Sequence, residues 1–109
     1  MQTMENFEGR IELMSKAIAP YAKAKAERTY IEYFRKSKKA MLMQQSDGKT
    51  IADREAYAYS HHEYLALLDG LKAAVYEEER TKFALEKFKI EFEHWRTCQA
   101  NDRWQKDRV

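Results

Sequence analysis

Turn-forming residues are nearly missing from this chain, which has 3 Gly and 1 Pro in 109 residues; average usage is roughly 7% and 5%. That scarcity argues against all-β sandwiches and barrels, Rossmann-type nucleotide folds, and collagen-like or linker-rich chains. A single cysteine, Cys98, rules out an internal disulfide and suits a reducing compartment. No apolar run approaches the roughly 18 residues that span a membrane. The N-terminus is acidic and amphipathic, so no signal peptide is expected and the chain is expected to be cytoplasmic. What is present is 35% charged, 44% hydrophobic and 13% aromatic residues, with 20 basic and 18 acidic side chains leaving a net charge of +2. The aromatic content is too high for simple disorder. The length suits a single helical domain over residues 1–109.

Helical periodicity runs through most of the chain. Met4, Phe7, Ile11, Met14, Ile18 and Tyr21 advance by alternating threes and fours, which places them on one side of a helix over residues 1–19. Thr3 stands as its N-cap, with Glu5 and Glu8 at the positive end of its dipole. Pro20 either opens a second helix or kinks a longer one, because it has no N–H to donate. Residues 20–46 are rich in strong helix formers, with an apolar side of Ala26, Tyr30, Phe34, Ser37 and Met41, flanked by Tyr33 and Ala40. Ser46-Asp47-Gly48-Lys49 is the strong turn signal, after which Thr50 caps a short helix over 50–59. Ser60 and Glu63 form a capping-box pattern ahead of a helix over 61–107.

That last helix changes face partway. Leu68, Leu71 and Val75 make one stripe, and after the acidic run Glu77-Glu78-Glu79 the stripe becomes Leu85, Phe88, Phe92 and Trp95. Tyr76, Phe83 and Ile90 form a second row at seven-residue spacing, more than 90° away. A helix of about 45 residues is about 68 Å long, against roughly 30 Å for a globule of this size. The expected architecture is therefore all-α: an elongated antiparallel helical hairpin or bundle with a long C-terminal helix, dimerised along the apolar side its own chain leaves bare. Its expected core is Phe7, Ile11, Met14, Ile18, Phe34, Met41, Leu68, Leu71, Val75, Leu85, Phe88 and Phe92.

Chemistry-bearing residues are sparse. Lys16, Lys23, Lys25, Arg28, Arg35, Lys36, Lys38 and Lys39 outnumber Glu27 and Glu32 within one segment, giving it a charge of +6 while the rest of the chain sums to −4. Such asymmetry suits an anionic partner. Lys23, Lys25, Arg28, Arg35, Lys36, Lys38 and Lys39 would contact the phosphates of a nucleic acid, with Tyr30 or Tyr33 stacking on bases. The alternative is a solvated helix face whose cations meet acids elsewhere in the chain. Near the C-terminus Trp95, Arg96, Arg103 and Trp104 are residue types that carry binding energy at interfaces. With Tyr76, Phe83 and Ile90 they are the candidate partner-binding set, or else Trp95 lies in a core and Trp104 in a frayed tail.

His61 and His62, adjacent on a helix, would point about 100° apart and could not readily share a metal ion. Glu91 and His94 show E-x-x-H spacing only once, where a di-iron bundle needs two such pairs. Cys98 has no paired cysteine and no His–Asp arrangement beside it, and no glycine-rich phosphate loop or nucleophile elbow occurs. Glu78 is expected on the helix surface, at ion-pair spacing from Lys82. No cofactor and no enzymatic activity are expected; a metal enzyme using Glu91 and His94 is the remaining catalytic reading.

Two segments, Ala52-Asp53-Arg54-Glu55-Ala56-Tyr57-Ala58-Tyr59-Ser60-His61-His62-Glu63-Tyr64 and Phe92-Glu93-His94-Trp95-Arg96-Thr97-Cys98-Gln99-Ala100-Asn101, resemble small helical proteins encoded by bacteriophages and prophages. The resemblance covers roughly residues 20 to 104 and brings no catalytic residues with it. It implies a bacterial cytoplasmic setting beside genes of recombination and replication. A non-enzymatic DNA-associated accessory protein fits that setting, as does a phage protein that binds and modulates a host or phage protein through its C-terminal helix.

Overall fold

The computed structural model describes residues 4–108, with the side chains of residues 7–107. The expected cap Thr3 and the side chains of Met4 and Glu5 lie outside that range. Three helices, α1 (Met4–Gln45), α2 (Ile51–Ser60) and α3 (His62–Arg108), take up all the described residues except 46–50 and His61. The fold is all-α with a long C-terminal helix.

Pro20 lies inside α1, so the two segments expected to meet there form one 42-residue helix. A proline in a helix interior costs about 3 kcal/mol and frees the carbonyl four residues back. That carbonyl belongs to Lys16, an exposed residue where water can satisfy it. The ends of α2 follow local chemistry. Thr50 caps it, its Oγ1 accepting the Asp53 N–H at 3.0 Å. In the turn before it, the Gly48 N–H donates to Ser46 Oγ at 3.0 Å and Arg54 Nε donates to the Gly48 carbonyl at 3.0 Å.

The start of α3 differs from the capping box expected at Ser60. Ser60 closes α2 instead, its hydroxyl donating to the Ala56 carbonyl at 2.7 Å. His61 takes the capping position: its Nδ1 accepts the Glu63 N–H at 3.1 Å and its carbonyl accepts the Leu65 N–H at 3.0 Å. With His61 outside the helix and His62 inside it, their rings stack 4.5 Å apart rather than diverging as two helical neighbours would.

By the contacts its helices make, the chain divides into two compact units. In the unit Lys23–Glu78, α1 meets α3 with residue numbers running in opposite directions: Arg28 pairs with Glu78 and Lys38 with Glu63, so the helices are antiparallel there. Leu42 and Ala58 are fully buried and form a cluster with Tyr64, against which Met43 and Leu68 pack. The inward side of α1 reads Ala24, Arg28, Ile31, Arg35, Lys38 and Leu42, all buried or half-buried at steps of four and three. The opposing positions on α3 are Tyr64, Leu67, Leu71, Ala74 and Glu78.

This overturns the expected apolar side of the basic helix. Ala26, Tyr30, Tyr33, Phe34, Ser37, Ala40 and Met41 are all exposed, and so is Val75. The return of α2 sets the rotation, because the cluster with Ala58 and Tyr64 turns Leu42 inward. At 100° per residue that places Met41 about 100° and Phe34 about 80° away from the contact.

In the other unit, α1 up to Ala22 and α3 from Glu79, the row Leu85, Phe88, Phe92 and Trp95 faces inward as expected. Thr81, Leu85 and Phe92 are buried. On α1 the inward positions are Arg10, Met14, Ala17 and Tyr21. Phe7, Ile11 and Ile18 from the expected stripe are exposed, since a helix that turns Met14 and Ala17 inward leaves Ile11 and Ile18 on its flank. Phe7 still places its ring 5.8 Å from Phe92 and 6.0 Å from Trp95.

Candidate interaction surfaces

The cations of the basic segment do not form one open patch. Arg28 lies on the inward side of α1, where Nε and Nη2 donate to the two carboxylate oxygens of Glu78 at 2.5 and 3.1 Å, and Nη1 donates to Glu32 at 2.9 Å. That fork geometry is the strong form of a charged hydrogen bond. The Glu78 hydrogen bond, more than Glu32, raises the Arg28 guanidinium further above its already high range. The expectation that Glu78 sits on the outer surface is thereby corrected. Helix rotation brings it against an arginine 50 residues away, a pairing that spacing along one helix cannot show.

Lys38 Nζ reaches Glu63 at 3.0 Å. The hydrogen bond from Lys38 holds the Glu63 carboxyl below its ordinary 4.5, helped by His61 and His62. Lys39 Nζ lies 4.7 Å above the Tyr59 ring and 3.7 Å from Glu55. Its hydrogen bond with Tyr59, then Glu55, raises its ammonium above the ordinary 10.5. Three of the seven expected phosphate-contacting cations thus have acidic partners in the same chain. Arg35 is half-buried, which leaves Lys23, Lys25 and Lys36 exposed, as are Tyr30 and Tyr33, each 68% exposed. Tyr30 stacks on Phe34 at 6.1 Å.

The C-terminal candidates separate into two groups. Trp95 turns inward, 5.7 Å from Phe92, with the Arg10 guanidinium 4.8 Å from its ring. It belongs to the packing of its own unit, and its buried Nε1 has no hydrogen-bond partner. Trp104 is 60% exposed on a continuing helix rather than in a frayed tail. Phe83 and Ile90 are 59% and 70% exposed, Tyr76 is exposed as well, and Arg96 and Arg103 lie on the surface. Arg96 meets Glu93 at 3.4 Å.

Cys98 has a neighbour that the sequence reading did not name: His94 Nε2 lies 3.7 Å from its Sγ. The i, i+4 spacing on α3 brings them together. Both are exposed, so no cleft holds a substrate against the thiol. An open groove lined by Glu12, Leu13, Lys16, Phe88 and Glu91 carries mixed charge but no nucleophile beside a base. Among the described residues no three His, Cys, Asp or Glu side chains gather to hold a metal ion. Nor is any helix among them long and apolar enough to cross a membrane. No family model, no curated protein and no solved structure matches the chain.

Proposed function

We propose that this chain is a non-enzymatic interaction protein that receives another protein chain on the outward face of α3. One observation carries the reading: Phe83, Ile90 and Trp104 stand 59%, 70% and 60% exposed on one helix, at multiples of seven residues. Large apolar side chains left exposed in a row on a helix mark a surface that another chain covers. The inward spacing of threes and fours supports coiled-coil packing of α1 on α3 within each unit, which holds that face outward. The partner is a second copy of this chain or, in the phage or prophage setting that the sequence resemblance implies, a phage or host protein. Sizing of the pure chain and capture from nuclease-treated bacterial lysate together test this. The intact chain should hold a stoichiometric protein, its own second copy or one from the lysate, that Ile90→Lys loses. Identical retention by both, or retention of nucleic acid alone, would sink it.

A second reading, a DNA-associated accessory protein, is favoured by Lys23, Lys25 and Lys36 lying exposed on the same helix as the exposed Tyr30 and Tyr33. Three phosphate contacts give a slope of roughly −3 in log affinity against log salt, where seven would give roughly −6. Binding of single- and double-stranded oligonucleotides at several salt concentrations distinguishes them. No binding at low salt removes the reading.

A further inference from the structure

The outward row on α3 is bordered by charges sorted by sign. Beyond Glu79 the row consists of Phe83, Ile90, Thr97 and Trp104, all exposed and each seven residues from the last. Seven residues return to the same face of a helix with a drift of about 20°. Positions three beyond and four before Phe83 and Ile90 carry Glu79, Glu86 and Glu93. Positions four beyond and three before carry Arg80, Lys87 and His94. All six are exposed. At 100° per residue the acidic set lies roughly 50° to one side of the row and the basic set roughly 50° to the other.

This sorting selects an orientation for a second copy of the helix. If two copies lie parallel, related by a two-fold axis along the pair, each acidic border faces the other copy's basic border. If they lie antiparallel, the two-fold axis sets glutamates against glutamates and cations against cations. We propose that the chain pairs with a second copy of itself through this face, α3 beside α3, parallel and in register. The inference rests on the reading of this face as a protein-binding surface and names its occupant.

Glu79 then meets the other copy's Arg80, and Glu86 its Lys87, on both borders. Glu93 meets His94 when the imidazole is protonated. The same-helix pairs Lys87–Glu91 and Glu93–Arg96, at 3.8 and 3.4 Å, are exposed and weak, so they yield readily to a partner's charge. Thr97 donates its hydroxyl to the Glu93 carbonyl at 3.0 Å, so the row holds no unsatisfied donor at that position. A small polar residue within an apolar row also marks register, because only the aligned pairing places it opposite itself.

The test combines mass, charge and cross-linking on the full chain. Light scattering should report twice the 13.0 kDa chain mass. Ile90→Lys, and Phe83→Lys as a second variant, should weaken self-association at least 100-fold while helical circular dichroism is retained. Glu86→Lys should weaken it about 3- to 10-fold, and adding Lys87→Glu should restore it. In a Cys98→Ser background, Thr97→Cys should oxidise to a disulfide-linked dimer. An antiparallel pair crossing at Ile90 would hold the two positions about 20 Å apart, beyond disulfide reach.

A monomer at all concentrations overturns the proposal, as does a dimer strengthened by Glu86→Lys or one that fails to cross-link. A monomer that still captures a protein, and loses it with Ile90→Lys, overturns self-pairing but leaves the interaction reading in place. Assembly of either kind that ignores Ile90→Lys overturns both.

Discussion

Gly48 and Gly70 respond in opposite ways to an added methyl group. A Cβ on Gly48 would sit 2.8 Å from the Asp53 Cβ, an atom fixed to the first turn of α2. Gly48→Ala should therefore destabilise the chain by about 1–3 kcal/mol. At Gly70, inside α3, a Cβ meets nothing within 4 Å, so Gly70→Ala should stabilise by about 0.5–1 kcal/mol. Urea denaturation measures both, and the same sign for the two would refute the local geometry. Leu42, fully buried between Ala58 and Tyr64, should cost about 2–5 kcal/mol when replaced by alanine. The Glu63 carboxyl titrates below its ordinary 4.5 because Lys38 favours its charged form. Its stabilisation is present above the ordinary value and disappears as pH falls through the depressed one. Glu63→Gln should therefore flatten the acid side of a plot of melting temperature against pH, and an unchanged slope would show that the ion pair is not maintained in solution.

At the scale of the element, α1 carries two features that local rules disfavour, a proline inside the helix and cations on its inward side. Pro20→Ala should stabilise α1 by up to about 3 kcal/mol, measurable as a higher denaturation midpoint. Arg28 is retained inward because Glu78 accepts both arms of its guanidinium fork. Removing one member leaves a half-buried charge without its main partner, while removing both leaves none. Arg28→Leu and Glu78→Leu should each lower the melting temperature, and the double replacement should recover most of the loss. A double variant as unstable as the sum of the singles would show that the two charges act independently. For α2, Thr50→Ala should cost about 0.5–2 kcal/mol through loss of the bond to the Asp53 N–H.

For the whole molecule, folding redistributes the charge asymmetry of the sequence. The basic segment supplies Arg28, Lys38 and Lys39 to glutamates at 78, 63 and 55, so much of its +6 is compensated within the chain. The outward surface is accordingly distinguished less by positive charge than by apolar rows, and that shifts the functional reading from nucleic acid toward protein. Mass action gives the corresponding prediction. If a second copy covers the outward face of α3, the melting temperature rises with protein concentration in the intact chain but not in Ile90→Lys. Superimposable melts across a hundredfold range of concentration would contradict the pairing.

The sequence by itself determined that the chain is helical, where its main turn falls, that Thr50 caps α2, and that Tyr76, Phe83 and Ile90 share one side of α3. These depend on steps of three, four and seven residues and on side chains bonding to nearby backbone, all local in the chain. The rotation of each helix about its own axis required tertiary structure. Whether Leu42 or Met41 faces inward is settled by Ala58 and Tyr64 arriving from other elements. Whether Arg28 faces water or a carboxylate is settled by Glu78, 50 residues away. Periodicity names the sides of a helix, but the side that is buried is chosen by the surface brought against it, and on α1 that surface selected the side where cations could be paired.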